Sequence, residues 1–281
     1  MRLDGAPVRD AILAGLAGRI SGAGSPAVCL ATVLVGDDGP SRRYVASKHR
    51  TAGEVGIRSV GVELPATATQ AQVEAEVAHL ATDASVHGIL VQMPLPGHLD
   101  PERVLALIPA AKDVDGLTEA SLGRLVRGVP GHVGCTPLGV MRLLDHHGIA
   151  TSGRRAAVIG RSTLVGLPMA LLLAQKGVDA TVTLAHSRTT DMVAVCREAD
   201  IIVSATGIAR SITAAHVKPG AAVIDVGISR TDAGIVGDVD FDGVQGVAGA
   251  VTPMPGGTGL LTVACLMENT VAAAAMQGVR V

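Results

Sequence analysis

Short apolar runs that alternate with segments of helical period constrain the fold of this 281-residue chain more than any other feature. In the first half, apolar runs at 27–36, 57–64 and 87–93 are separated by helical patterns at about 40–55 and 69–82. The second half continues with the apolar runs 154–160, 180–186, 200–207 and 221–227. Strands that alternate with helices pack as parallel sheets with helices on their faces, so we predict an α/β protein.

A turn-rich stretch at 109–136 separates the two series and leads into a helix predicted at about 136–147. A long apolar helix, predicted at about 259–277, closes the chain. Because that helix can pack back on the first half, we predict a discontinuous first domain of residues 1–141 with 259–281. Residues 142–258 form the second predicted domain, a Rossmann-like parallel sheet.

The composition argues against several classes of protein. The chain has 23 basic and 25 acidic residues, and it has one Tyr, one Phe and no Trp. The nearly balanced charge provides no excess of cations to neutralise phosphates, and two aromatic residues provide little surface for base stacking. We therefore expect no nucleic-acid partner. The four cysteines are scattered and the nine histidines lack ligand spacing, which predicts reduced thiols and no metal. Without a leader pattern or an apolar run of about 18 residues, we expect a soluble cytoplasmic protein with no membrane partner.

The clearest ligand-binding pattern is "VIGRSTLVGLPMALLLAQKG", a strand, a tight turn and a helix. Gly160 and Gly166 flank the turn, but Ser162 occupies the place of the middle glycine of the usual dinucleotide fingerprint. The alternative is that the glycines of such a turn are needed only for its backbone geometry and not for a ligand. The strand before the turn, the helix after it and the further strands favour dinucleotide binding at the helix N-terminus.

The residues after the next strand favour NADP over NAD. An NAD site usually carries an acidic residue there for the ribose hydroxyls, whereas this chain has Ser187 and Arg188, and Arg161 lies in the first turn. Hydroxyl and guanidinium groups bind a 2′-phosphate well. The alternative for Arg188 is a solvated loop residue.

Four polar residues of the first half are candidate functional groups. Tyr44 and Lys48 share one helical face, Gln92 ends an apolar strand, and Asp115 lies in the turn "KDVDG". Each has an ordinary structural explanation when it is taken alone. The glycine-rich segment 253–259 could likewise be a simple turn or a backbone surface against a flat ligand.

Taken together, the motifs resemble one family. "YVASKHRTAGEVGI", "VQMPLP", "KDVDG", "CTPLGV", "VIGRSTLVGLP", "ADIIVSATG", "VIDVGI", "GDVDF" and "TPMPGGTGLLTVACLMENT" follow in the order of bifunctional methylenetetrahydrofolate dehydrogenase/methenyltetrahydrofolate cyclohydrolase. The resemblance extends over about residues 27 to 271. Short-chain dehydrogenases also use Y-x-x-x-K, but after their nucleotide-binding turn, whereas here it comes before.

The resemblance implies two reactions at one cleft between the domains. Hydride passes from 5,10-methylenetetrahydrofolate to NADP, and water then opens the methenyl product to 10-formyltetrahydrofolate. It implies that Lys48 transfers protons, that Gln92 tunes Lys48, that Tyr44 lines the folate site and orients Lys48, and that Asp115 grips the pterin. A lysine with the reference pKa near 10.4 is protonated at pH 7, so this role requires surroundings that lower the pKa.

The remaining contacts are implied in the same way. The residues expected at folate are Tyr44, Lys48, Val91, Gln92, Met93, Asp115, Pro255, Gly256, Gly257, Thr258 and Gly259. Those expected at the dinucleotide are Gly160, Arg161, Ser162, Ser187, Arg188 and Ile228. A homodimer is expected from the resemblance alone.

Three positions depart from the family pattern. Gly134 replaces the proline that usually precedes "CTP", and Thr258 and Leu260 make "PGGTGL" of the usual "PGGVGP". Loss of a proline loosens the entry to the last helix and could alter folate affinity. Two alternatives stay open at this point: a dehydrogenase without cyclohydrolase activity, and a dinucleotide-binding protein that is not an enzyme.

Overall fold

Parallel sheets with helices between their strands make up both halves of the chain, which confirms the predicted α/β class. The computed structural model describes residues 1–231 and 234–281. These residues divide into two units. Unit 1 consists of Met1–Asp10 and Thr136–Thr262, and unit 2 consists of Ala11–Cys135 and Val263–Val281.

Unit 2 is built on a parallel sheet of three strands in the order β2-β1-β3. The strands are β1 (Cys29–Val35), β2 (Arg58–Leu64) and β3 (Gly88–Val91), and the helices are α2 (Gly39–Glu54), α3 (Gln70–Thr82), α4 (Pro101–Leu105) and α5 (Glu119–Val126). Every residue of β1 is buried, because helices cover this central strand on both sides. Gln92 follows β3 and Gly36 follows β1, so the carboxyl ends of both strands lie at one edge of the sheet.

Capping residues in the sequence begin the helices of this unit. Thr69 caps α3 in a reciprocal arrangement with Gln72, and Asp38 caps α2 by accepting a hydrogen bond from the Ser41 amide. Asp100 caps α4, and proline occupies the first turn of that helix.

Unit 1 holds a parallel sheet of five strands in the order β10-β7-β6-β4-β5. The strands are β4 (Arg155–Ile159), β5 (Thr181–Ala185), β6 (Ile201–Ser204), β7 (Ala222–Asp225) and β10 (Ala250–Val251), and the helices are α7 (Gly166–Ala174), α8 (Met192–Arg197) and α9 (Phe241–Val244). A small antiparallel pair, β8 (Ser229–Thr231) and β9 (Gly234–Val236), follows β7. Helices α1 (Gly5–Gly22), α6 (Cys135–His146) and α10 (Leu261–Met276) have residues in both units.

Helix α10 departs from a prediction. The segment Thr258–Met276 has a mean hydropathy of 1.5 over 18 residues, so by length and composition it could cross a membrane. The prediction that no apolar run is long enough to span a membrane is therefore wrong by the criteria of length and composition. The buried side chains of α10, which include Leu266, Met267 and Val271, explain its apolar sequence as that of a core helix.

Candidate active site

Lys48 and Gln92 meet in unit 2. Helix α2 carries Lys48 over the sheet, and Gln92 follows the last residue of β3. The Lys48 Nζ donates a hydrogen bond of 2.9 Å to Gln92 Oε1. The Gln92 Nε2 donates in turn to the Met93 carbonyl at 2.7 Å, which fixes the amide so that its oxygen faces the lysine. The structure thus brings two of the four predicted catalytic residues into direct hydrogen-bond contact.

Burial lowers the pKa of Lys48 below its ordinary value. Attraction by the Asp115 carboxylate opposes this effect but is the smaller of the two. Burial also raises the pKa of Asp115, again against the attraction of the Lys48 ammonium. The lowered pKa of Lys48 favours the neutral amine, which is the form that a proton-accepting lysine requires.

Asp115 lies in a turn that a second aspartate shapes. Asp113 is buried, and its carboxylate accepts hydrogen bonds from the amides of Leu117 at 3.2 Å and Thr118 at 2.9 Å. Gly116 has φ +67°, and a Cβ there would lie 2.5 Å from the Gly134 nitrogen. The turn therefore requires glycine at this position, and it leaves the Asp115 carboxylate beside Lys48.

Sequence reasoning missed two residues that support Asp115. The buried Cys135 lies next to the Asp115 carboxylate, and its thiol donates to the Val114 carbonyl at 3.3 Å. From α10, Asn269 Nδ2 donates to the carbonyls of Val114 at 2.8 Å and Val133 at 2.9 Å. The motifs "CTPLGV" and "MENT" contain these residues, but only the fold shows that both lie behind Asp115.

Tyr44 lies one helical turn before Lys48 and is 44% exposed. Its hydroxyl makes no hydrogen bond to any residue in the described ranges 1–231 and 234–281. The group that orients Lys48 in this structure is Gln92. Tyr44 is therefore available as an exposed aromatic surface.

Two further residues predicted at folate differ in their accessibility. Val91 is 3% exposed and packs in the core of unit 2, so only its backbone could reach a ligand. Met93 is partly buried at the edge of the same core.

His49 fixes the helix that carries Lys48. Its two ring nitrogens hydrogen-bond to Thr32 Oγ1 on β1 and to Ser59 Oγ on β2, each at 2.8 Å. Burial lowers the pKa of His49, which favours the neutral ring. The sequence alone does not reveal this anchor, because a histidine beside a lysine on a polar helix has no distinctive pattern.

The turn after β4 in unit 1 has the geometry of a dinucleotide-binding loop. Gly160 has φ +119°, and a Cβ at Gly166 would lie 2.0 Å from the Gly160 carbonyl oxygen, so both positions require glycine. Residues 161–164 are exposed in front of the N-terminus of α7. Ser162 accepts a hydrogen bond from the Val165 amide at 3.2 Å, so it closes the turn where a second glycine usually stands. These residues suit a pyrophosphate.

The three residues predicted to select NADP lie at neighbouring strand ends. Ile159 of β4 pairs with Ala185 of β5, so Arg161 follows one strand and Ser187 and Arg188 follow the other. All three are exposed. Within the described residues, neither Arg161 nor Arg188 forms an ion pair, so both guanidinium groups can meet a phosphate.

The other predicted contacts of unit 1 follow β7 and β10. Ile228 is 48% exposed and lies three residues beyond the end of β7. In the segment 255–259, Pro255 and Gly259 are exposed, whereas Gly257 and Thr258 are buried. The buried Thr258 hydroxyl donates a hydrogen bond to the Asp225 carbonyl. Within the described residues, no group of three His, Cys, Asp or Glu side chains could hold a metal ion.

Family models match both parts of the chain. The catalytic domain of tetrahydrofolate dehydrogenase/cyclohydrolase matches residues 3–115, and the NAD(P)-binding domain of the same enzyme matches residues 134–278. The bifunctional protein FolD of Acidiphilium cryptum is 51% identical over 275 residues, which cover 97% of each chain.

Solved structures agree with this result. The bifunctional FolD methylenetetrahydrofolate dehydrogenase/cyclohydrolase of Campylobacter jejuni has a TM-score of 0.95 and 41% identity, over 98% of this chain and 99% of that one. The corresponding enzyme of Trypanosoma brucei, crystallised with NADP and an inhibitor, has a TM-score of 0.92 and 37% identity, over 98% and 97% of the two chains. The chain with the Lys48–Gln92 pair and the Gly160–Gly166 turn belongs to the tetrahydrofolate dehydrogenase/cyclohydrolase family.

Proposed function

We propose that this enzyme oxidises 5,10-methylenetetrahydrofolate with NADP and then hydrolyses the methenyl product to 10-formyltetrahydrofolate, with Lys48 as the proton-transfer group of the second step. The observation that carries this proposal is the Lys48 Nζ, which is held at 2.9 Å from Gln92 Oε1 and whose pKa is lowered by burial. A lysine kept as a surface charge would need neither feature.

The dehydrogenase step requires placement more than acid–base chemistry. Loss of hydride from the carbon between two nitrogens gives a cation that the nitrogens stabilise, so no hydroxyl proton has to be removed. NADP supplies the acceptor for that hydride when it is bound. The protein's task is to hold the two rings in contact, which is worth a large part of such a barrier.

The cyclohydrolase step requires a base. Water adds to the methenyl carbon, the neutral Lys48 amine takes a proton from it, and the bond from that carbon to one ring nitrogen breaks to leave a formyl group. The ammonium then returns that proton to the departing nitrogen, and the proton of the added hydroxyl is released to solvent as the formyl C=O forms, so the charge of the methenyl cation leaves as one proton. Gln92 keeps the amine in place through both transfers, and the Asp115 carboxyl oxygens can accept hydrogen bonds from the amino-pyrimidinone edge of the pterin.

Two features support NADP as the dinucleotide. Arg161 and Arg188 are exposed, and the strand pairing of Ile159 with Ala185 brings their loops to neighbouring strand ends. Two guanidinium groups that form no ion pair with the residues 1–231 and 234–281 favour the additional 2′-phosphate. We also infer a cytoplasmic homodimer; sedimentation analysis of the purified protein tests the dimer.

The alternative of a dehydrogenase without hydrolase activity is tested by Lys48→Met. We expect this variant to lose cyclohydrolase activity by at least about 100-fold, since it lacks the proton acceptor. Binding of both ligands, measured by calorimetry, should persist. Arg50→Met, an exposed cation two residues further along the same helix, is the control and should keep both activities. Unchanged methenyl hydrolysis in Lys48→Met would exclude the role of Lys48.

The wild-type assay tests the remaining assignments. Methylenetetrahydrofolate and NADP should yield NADPH, and kcat/KM should be higher with NADP than with NAD. Absence of NADPH formation would favour a dinucleotide-binding protein that is not an enzyme. A higher kcat/KM with NAD would contradict the role of Arg161, Ser187 and Arg188.

A further inference from the structure

Asp225, the last residue of β7, connects several loops of unit 1. Its buried carboxylate accepts hydrogen bonds from the amides of Gly227, Asp238 and Val239, at 2.9–3.0 Å. A second buried carboxylate, that of Asp238, accepts from the Ser204 hydroxyl at 3.0 Å and from the Thr206 amide at 2.6 Å. The motifs "VIDVGI" and "GDVDF" thus hold together the loops that follow β6 and β7.

The backbone of Asp225 is held by two threonines of another segment. Its amide donates to Thr252 Oγ1 at 2.7 Å, and its carbonyl accepts from Thr258 Oγ1, also at 2.7 Å. Thr252 and Thr258 are 1% and 2% exposed. They lie on either side of the sequence "PMPGG", so both ends of this glycine-rich segment are tied to one residue of β7.

Asp225 is three residues before Ile228, and Thr258 is within the segment 255–259. By the proposed function, on which this inference rests, Ile228 meets the nicotinamide side and the segment meets folate. We propose that the Thr258 hydroxyl is a positioning group for hydride transfer, because it joins the folate-contact segment directly to the strand end that carries the nicotinamide-contact turn. Hydride transfer requires the two rings about 3–3.5 Å apart, so a fixed spacing between these two supports affects this step in particular.

The neighbouring residue explains why a hydroxyl is useful here. Position 260 holds Leu, where proline would fix the backbone φ just before α10. Without that restraint the short 3₁₀ turn Thr258–Leu260 has more conformational freedom in its backbone, and a buried side-chain bond restricts it. The Thr258 hydrogen bond therefore substitutes for the rigidity that a proline at position 260 provides.

The test compares the two activities within each variant. The variants are T258V, which keeps the shape and removes the donor, T258S, which keeps the donor, and T258V/L260P. Dehydrogenase kcat is measured as NADPH formation from methylenetetrahydrofolate, and cyclohydrolase kcat as loss of methenyltetrahydrofolate without dinucleotide. Hydrolysis needs only one ligand, so we expect the ratio of dehydrogenase to cyclohydrolase kcat to fall about tenfold in T258V. It should stay within about twofold of wild type in T258S and recover by at least about fivefold in T258V/L260P.

The outcomes separate this inference from the proposed function. Wild-type protein that forms no NADPH would refute the proposed function and this inference with it. An active wild type with an unchanged ratio in T258V would refute the inference alone. A parallel loss of both activities would also refute it, since that pattern indicates a general loss of folded protein. A ratio in T258S as low as that in T258V would show that the hydroxyl is not the group involved.

Discussion

Asp113 and Asp115 show how neighbouring side chains of one type acquire different roles. Both belong to the turn "KDVDG". Asp113 accepts two backbone hydrogen bonds and so stabilises the turn itself. Asp115 is left beside Lys48, where burial raises its pKa. Either residue satisfies the rules of turn chemistry, so the turn itself does not show which aspartate is functional. Only the family resemblance points to Asp115.

Gln92→Glu tests the electrostatics of Lys48. A carboxylate at hydrogen-bond distance from Nζ stabilises the ammonium and so raises the pKa of Lys48. Since hydrolysis requires the neutral amine, its rate rises as pH increases through that pKa. We expect the rising limb of the pH–kcat profile for cyclohydrolase to move up by about one pH unit.

The opposite change provides the control for this prediction. Asp115→Asn removes the attraction that opposes burial, so the rising limb should move to lower pH even though the overall rate falls. Rising limbs that coincide in the two variants would mean that a group other than Lys48 controls hydrolysis.

At the scale of elements, local sequence patterns indicate the caps of the helices more readily than the contacts between strands. Thr69 and the Asp100–Pro101 pair have local patterns that begin α3 and α4. Helix α5 was missed within a region read as turns, because Gly123 and its eight-residue length hide its amphipathic pattern. Strand β10 has only two residues and is fixed by pairing with β7, which no local pattern shows.

Thr69→Ala measures the contribution of one such cap. The Thr69 hydroxyl accepts a hydrogen bond from the Gln72 amide at 3.3 Å, and the Gln72 side chain accepts from the Thr69 amide at 2.8 Å. We expect the free energy of unfolding in urea to fall by about 1 kcal/mol. Thr67→Ala, at an exposed turn position two residues earlier, should change it by less than about 0.5 kcal/mol. Equal effects would show that the capping box adds no stability.

The end of β7 gives stability a pH dependence. Burial, with a smaller contribution from the Asp238 carboxylate, raises the pKa of Asp225 to about 6, against three amide hydrogen bonds that lower it. An unfolded aspartate releases its proton near pH 4, so between pH 4 and 6 the native state binds more protons. Asp225 therefore contributes up to about 3 kcal/mol to the free energy of unfolding at pH 4. This contribution is lost as pH rises through 6.

Asp225→Asn isolates this contribution, because the amide does not titrate. Urea unfolding of both proteins at pH 4.5, 5.5 and 7 is compared. The free energy of unfolding of the wild type relative to the variant should decrease across this range, while other groups cancel in the difference. A difference that is constant or that increases with pH would contradict the raised pKa.

At the scale of the whole molecule, distant parts of the chain meet in each unit. Residues 1–10 belong with 136–262, and residues 263–281 belong with 11–135. In unit 1 the Leu3 amide donates to Val251, and in unit 2 the Gln277 side chain donates to the carbonyl of His87. Hydropathy predicts that the last helix is apolar, but its partner is determined by hydrogen bonds such as those of Asn269, which have no local signature. For this reason the sequence predicts the residues of the site more readily than the residues that support them, such as Asn269.

Asn269→Ala tests whether α10 supports the active site as well as the core. This substitution removes the donor that the carbonyls of Val114 and Val133 now share, and leaves Val114 with only the Cys135 thiol. We expect a loss of about 1–3 kcal/mol in the free energy of unfolding, which is the cost of about one unsatisfied buried group. Because Val114 precedes Asp115, the KM for methenyltetrahydrofolate should also rise, by about tenfold. Met276→Ala, at the 54% exposed end of the same helix, should change neither quantity much. A stability loss without a change in KM would restrict Asn269 to a packing role, and the position of Asp115 would then be set by Asp113 and the turn alone.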